Sequence, residues 1–313
     1  ISGLTVDLAG AQDTALGTAA SRRSGDPLLS RYLRFGKLTA QDGLSSDQIR
    51  AVVQDKRGFM WFGTLEGLNR YDGASVKVYR YDPDDPNSLS HDVARSLLVD
   101  QSGVLWIGTW NGGLNQYDRE KDHFIRYLHD PDNSRSLSNN TVRVVYEDRD
   151  GKIWVGTSKG LNQLDRDSGQ FTRYLHDPGD PNSLSNNIIW SIVQDSGGNL
   201  WIGTSASGLD AFDPNDETFV HIRHDPTDPN SLSSDRIRSI FQSRSGILWV
   251  GTQGGGVNKS DFPDQMEDNP HVPPVVLTSL QQNGVEVEAG QAPEDLKEVT
   301  LRWPDNSFEF GFA

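Results

Sequence analysis

Four arginines and a tryptophan recur at one register of this sequence. Arg50, Arg95, Arg143, Trp190 and Arg238 each stand six residues after the Leu of a Leu-Ser pair: Leu44, Leu89, Leu137, Leu184 and Leu232. Guanidinium groups present planar N–H forks that match carboxylate, sulfate or sugar oxygens. Brought together, they would form a ring suited to binding. Two readings stand side by side. The arginines bind a ligand, or they pair with the linker aspartates Asp47, Asp92 and Asp235. Trp110 is a further candidate, because it lies outside the repeated tryptophans and an exposed indole suits stacking on a sugar or peptide. Glu66 and Lys159 occupy matching turns and complete the set of candidate ligand-binding residues.

The repeats must position these side chains. Trp-apolar-Gly-Thr occurs five times, at Trp61, Trp106, Trp154, Trp201 and Trp249, with spacings of 45, 48, 47 and 48 residues. Each unit reads as four short strands. In the third, Val142 to Glu147, Ile153 to Gly156, Leu161 to Leu164 and Phe171 to Leu175 are separated by Gly-, Asp- and Ser-rich turns. Proline-containing links then stop strand pairing before the next unit. Four antiparallel strands at this period predict an all-β fold, a β-propeller of about five four-stranded blades followed by a partial β-sandwich. The repeated tryptophans are expected between neighbouring sheets, where truncation to Ala costs about 3–5 kcal/mol. The Gly-Thr and Leu-Ser pairs, the same in every unit, are expected to serve the fold. Positions that differ between units on one rim are better binding candidates.

Three parts are expected: a flexible leader over residues 1–30, the propeller over 31–262, and an incomplete immunoglobulin-like sandwich over 272–313. The fifth unit lacks a regular fourth strand. Arg31-Tyr32-Leu33-Arg34-Phe35 is similar to Arg126-Tyr127-Leu128 and Arg173-Tyr174-Leu175 and is expected to supply it, closing the last blade.

The composition narrows the function classes. Lys plus Arg number 29 and Asp plus Glu 44, for a net charge of −15. That balance disfavours nucleic acid and anionic membrane surfaces as partners. There is no cysteine, so disulfides, thiolate catalysis and Cys-ligated zinc are excluded. His129, His176 and His224 fall at matching linker positions about one repeat apart, which spreads them around a ring. No metal and no cofactor is expected. No phosphate loop, dinucleotide fingerprint or nucleophile elbow occurs, and no catalytic residue is assigned.

The run Gly43-Leu44-Ser45, Asp55 to Thr64 and Gly67 to Gly73 resembles a two-component regulator propeller repeat, and the Asp-Pro-x-x-Pro-Asn-Ser-Leu-Ser links resemble that family's linkers. Asn269 to Thr278 resembles the entry to the immunoglobulin-like triple-tyrosine domain that follows such propellers. The resemblance implies a non-enzymatic sensor on the periplasmic or extracellular side of the inner membrane. It implies a small-molecule or oligosaccharide ligand and a homodimer whose two arrangements the ligand shifts. The output would be a histidine kinase or diguanylate cyclase C-terminal to this chain, and only that part would meet the membrane. The sequence departs from the family in having five repeats rather than seven or more. A carbohydrate-active lyase or hydrolase and a protein-interaction scaffold are the alternatives.

Overall fold

The computed structural model describes residues 36–260 in full, together with five short strands outside them: Leu4–Asp7, Leu277–Gln282, Val285–Glu286, Glu298–Leu301 and Phe308–Phe312. The chain divides into two compact units, one of residues 38–267 and one formed by both ends of the chain. In the second unit Leu4–Asp7 pairs antiparallel with Glu298–Leu301, and Leu277–Gln282 pairs with Val285–Glu286 and with Phe308–Phe312. The expected flexible leader thus contains a paired strand. The expected closing segment 31–35 lies outside the described residues.

The larger unit holds five antiparallel sheets in series, each a meander of strands in chain order. Blade 1 comprises Ile49–Gln54, Met60–Thr64, Leu68–Tyr71 and Val76–Tyr79. Blade 2 comprises Ala94–Val99, Leu105–Thr109, Leu114–Asp118 and His123–Tyr127. Blade 3 comprises Val142–Glu147, Ile153–Thr157, Gly160–Leu164 and Phe171–Tyr174. Blade 4 comprises Ile189–Gln194, Leu200–Thr204, Leu209–Asp213 and Thr218–Ile222. Blade 5 has three described strands, Ile237–Gln242, Leu248–Thr252 and Val257–Lys259. First strands of successive blades are neighbours. This is the β-propeller arrangement that the repeats predict.

Sheet-on-sheet packing makes the core. Trp61 packs with Leu89, Leu105 and Ile107 of the next repeat, Trp106 with Val142 and Ile153, and Trp154 with Ile189 and Leu200. Trp201 does the same with Ile237 and Leu248. Trp154 is fully buried, whereas Trp249 of blade 5 is 40 % exposed. The Gly of each Trp-apolar-Gly-Thr motif explains how closely the sheets approach. A Cβ on Gly63 would lie 2.6 Å from the Ala94 carbonyl oxygen, and one on Gly108 2.5 Å from Val142. One on Gly156 would lie 2.6 Å from both Ile189 of the next blade and Val144 of its own, and one on Gly203 2.6 Å from Ile237 of the next blade and 2.4 Å from Ser191 of its own. Any larger residue would push the next first strand away.

The Leu-Ser pairs and the motif threonines also serve the fold. Ser45 N–H donates to Asn69 Oδ1 at 2.7 Å, Asn69 Nδ2 donates to Ser45 Oγ, and that hydroxyl meets Thr64 Oγ1 at 2.9 Å. Blade 3 repeats the set with Ser138, Asn162 and Thr157. Blade 4 has Asp210 where the other blades have Asn. Burial raises its pKa even though Ser185 donates to it and His221 Nδ1 lies 2.8 Å away.

Buried aspartates staple successive blades. Trp106 Nε1 donates to Asp100 Oδ2 at 2.8 Å, and Arg166 of blade 3 reaches the same oxygen at 2.8 Å. Arg119 of blade 2 reaches Asp55 beside Trp61 in the same way. Trp154 and Trp201 donate to Asp148 and Asp195. Blade 5 has Ser243 at that position, which matches the exposure of Trp249. Burial raises the Asp100 pKa, but hydrogen bonds from Ser102, Trp106 and Val104 and the Arg166 charge outweigh it and hold the group below 3.8. A carboxyl depressed in the folded state adds stability above its unfolded pKa and loses it as pH falls through the folded value. Asp100→Asn should therefore cost about 2–3 kcal/mol at neutral pH, by leaving Arg166 short of its partner. The gap from the wild type should narrow below pH ~4. Chemical denaturation across pH checks both; a gap constant with pH would contradict the ionic staple.

Candidate functional site

Each residue of the repeated register is the second residue of a blade's first strand. There it is skipped by the ladder. Pairing shifts register between Ile49 and Ala51, Ala94 and Ser96, Val142 and Val144, Ile189 and Ser191, and Ile237 and Ser239. The skipped residues are Arg50, Arg95, Arg143, Trp190 and Arg238. A bulge frees one residue from pairing and re-aims its side chain. In blades 2 to 5 the preceding residue, Ala94, Val142, Ile189 or Ile237, is the one seated against the neighbouring motif glycine. Inter-blade packing thus fixes the point from which each site side chain departs.

The bulged residues converge. The guanidinium carbon of Arg238 lies 4.0 Å from the Trp190 ring centroid, that of Arg143 4.4 Å and that of Arg95 5.0 Å. Arg95 and Arg143 also lie 5.2 and 5.9 Å from Trp110. Arg95 and Trp190 come from blades 2 and 4, which are not adjacent, so the first strands meet at this end. Indole faces attract guanidinium ions by about 0.5–2 kcal/mol each. Ser158 Oγ accepts from Arg143 Nε at 2.9 Å, and Gln253 accepts from Arg238.

Electrostatics set this cluster apart. Burial lowers the Arg95 pKa to about 10, helped by the charges of Arg143, Arg50 and Arg238. Burial, then the Arg238 charge, lowers that of Arg143. Among the described residues no carboxylate pairs with any of the four arginines. The linker aspartates are occupied elsewhere: Asp47 accepts from Ala40 N–H, Asp92 from Tyr81 N–H and Asp235 from His224 N–H. Among the described residues, the arginine–aspartate pairing left open by the sequence does not form.

Trp110, 41 % exposed, joins the cluster but holds guanidinium groups rather than a bare face. Glu66 and Lys159 are exposed turn residues whose backbone N–H groups donate to Thr64 and Thr157. Among the described residues, no hydrogen bond or ion pair links either side chain to the cluster. The linker histidines are structural in form: the Nδ1 atoms of His129, His176 and His224 bond the carbonyls of Leu137, Leu184 and Leu232. Among the described residues no three His, Asp or Glu side chains cluster as a metal site would require. Ser158 and Gln253, which hold two of the arginines, directly follow the motif threonines Thr157 and Thr252, at the register that Trp110 occupies in blade 2. The bulge itself could have been read only from strand pairing.

A family model described as two component regulator propeller matches residues 43–66, 88–111, 136–159, 183–206 and 231–254. Each segment contains one bulged residue. Histidine kinase P4 of Formosa agariphila is 44 % identical over 55 residues, which is 18 % of this chain and 4 % of that protein. Among solved structures, the extracellular domain of the hybrid two component system BT3049 of B. thetaiotaomicron aligns at 26 % identity and a TM-score of 0.46. The alignment covers 80 % of this chain and 45 % of that one. PorZ, a surface component of the type-IX secretion system of Porphyromonas gingivalis, aligns at 15 % identity and a TM-score of 0.51, over 68 % of this chain and 32 % of that one. This last is a likeness of fold. The chain spans less than half the length of each relative.

Burial and the like charges of Arg143, Arg50 and Arg238 offset what the two indole contacts contribute at Arg95. Arg95→Met, which keeps the apolar stem, should leave stability unchanged or raise it by up to ~1 kcal/mol in a denaturant melt. A loss above about 2 kcal/mol would mark Arg95 as a structural residue.

Proposed function

We propose that this chain, which carries five two component regulator propeller repeats, is the ligand-sensing module of an extracytoplasmic signalling receptor. Its ligand is an oligosaccharide, taken at the Arg50, Arg95, Arg143 and Arg238 cluster around Trp190 and Trp110. The observation that carries this reading is the convergence of Arg95, Arg143 and Arg238 on the Trp190 ring, with no carboxylate partner among the described residues and with the charge of Arg50 acting on Arg95. Like charges this close repel one another, and among the described residues their cross-blade contacts are to the indole faces of Trp190 and Trp110 rather than to carboxylates. The cluster suits reversible capture, because guanidinium forks bind oxygen-rich ligands without chemical change. Hydrolysis or elimination needs a positioned acid or base, and among the described residues no hydrogen bond or ion pair joins Glu66, the carboxylate among the candidate residues, to the cluster.

Relay of the signal follows from the same assignment. A ligand that bridges arginines of several blades binds one blade arrangement better than another and shifts the population by that difference. The name of the curated relative, a histidine kinase, supports a phosphotransfer output beyond the sensor. Location on the periplasmic or extracellular side of the inner membrane belongs to the same proposal, as does action as a homodimer.

A thermal-shift panel of acidic and neutral oligosaccharides tests this function. A ligand at 100 times its Kd should add ~2.7 kcal/mol of stability, and the sugar should be recovered intact. Recovery of cleaved sugar would favour a lyase or hydrolase. A cooperative melt that no sugar shifts would favour a protein-interaction scaffold.

A further inference from the structure

We propose that the ligand is a polyanion: a sugar chain that presents two or more sulfate or carboxylate groups to the Arg50, Arg95, Arg143 and Arg238 cluster. This rests on the sensing function proposed above and specifies the chemistry that the site accepts.

The contrast among the arginines of this chain is the starting point. Arg119 meets Asp55, and Arg166 meets Asp100 and Glu147. Arg126 and Arg173 donate to linker carbonyls, including those of Ser88 and Ser136. Each of these has an acceptor that explains its place in the fold. The four bulged arginines have no carboxylate among the described residues, although Asp and Glu number 44 in the sequence. Among the described residues the charge of the cluster is not neutralised by a carboxylate, and a ligand that brings anionic groups would neutralise it.

The number of cations sets the charge of the ligand. A single anionic group can engage one or two guanidinium forks and leaves the others repelling each other. Burial and the neighbouring charges already lower the Arg95 pKa. A ligand with several anionic groups relieves that repulsion at every arginine it reaches. Arg143 and Arg238 each commit one N–H group to the protein, to Ser158 and Gln253, out of the five that a guanidinium carries. Most of the donors therefore remain for oxygen pairs of the sulfate or carboxylate type.

The tryptophans fix the donors more than they offer a platform. Trp190 lies within 5.0 Å of three guanidinium carbons, and Trp110 within 5.9 Å of two. Their faces orient the forks before the ligand arrives, which lowers the ordering cost of binding. The hydroxyls of a neutral sugar accept hydrogen bonds from the forks but leave the repulsion among the cations in place. Discrimination against neutral chains is the expected consequence.

Calorimetric titration of the 313-residue chain with four probes tests the inference. The probes are a chondroitin sulfate tetrasaccharide, a tetragalacturonate, maltotetraose and sodium sulfate. At least one acidic sugar should bind more than about tenfold tighter than maltotetraose. Its affinity should fall about tenfold or more between ~50 and ~500 mM NaCl. Arg95→Ala with Arg143→Ala should abolish binding, while Arg95→Lys with Arg143→Lys keeps the charge, loses the fork and should leave weakened binding. Melts of both double variants within about 2 °C of the wild type establish that the fold is intact.

Tight, salt-insensitive binding of maltotetraose alone would overturn the polyanion inference and leave the sensing function standing. Cleavage of a bound acidic sugar would do the reverse. Sodium sulfate binding as well as either acidic sugar would replace the sugar chain with an inorganic anion. Binding of acidic sugar unchanged in the alanine double variant would remove the arginine cluster from the account, and failure of both acidic sugars to bind would overturn the inference outright.

Discussion

The close approach of sheets at the motif glycines is the constraint on which the rest depends. A first strand can lie against the preceding blade only because Gly63, Gly108, Gly156 and Gly203 carry no Cβ. The residue seated there is followed at once by the bulged residue of the site. One steric fact thus fixes both the core and the origin of the candidate binding side chains. The repeated tryptophans fill the same inter-blade space, and the buried aspartates hold their indole N–H groups. The site inherits its position from packing that every blade shares and its character from the one residue the ladder leaves out.

Two populations of arginine divide the work. Arg119 and Arg166 neutralise buried carboxylates and join neighbouring blades. The bulged arginines repel one another and are held apart from carboxylates by linkers that use their aspartates to cap backbone N–H groups. A fold selected for stability alone would not keep four such charges together. Indole faces and the Ser158 and Gln253 acceptors hold the cluster in the absence of a ligand.

Much of this was legible from repetition. The period gave the blades, and the common register of Arg50, Arg95, Arg143, Trp190 and Arg238 predicted their convergence, because symmetric units bring equivalent positions to one axis. Other features were hidden for physical reasons. An Asp six residues before four of the five tryptophans reads as an ordinary turn residue, and only packing reveals it as a buried acceptor. The bulge leaves no gap in the sequence. Trp110 stood out by its position, but cations lie over the face that was expected to meet a sugar. Glu66 and Lys159 share the rim turns with Trp110, but among the described residues no hydrogen bond or ion pair joins either side chain to the cluster. Residues 31–35, expected to close the last blade, lie outside the described residues.

The central claim is that the bulged arginines, and not the structural ones, meet the ligand. Arginine side-chain NMR resolves it most directly, by following guanidinium signals as a chondroitin sulfate tetrasaccharide is added. The account predicts that the signals of Arg95, Arg143 and Arg238 shift and sharpen as their rotation slows, while those of Arg119 and Arg166 stay where they are. Binding that leaves the first group unmoved would contradict it.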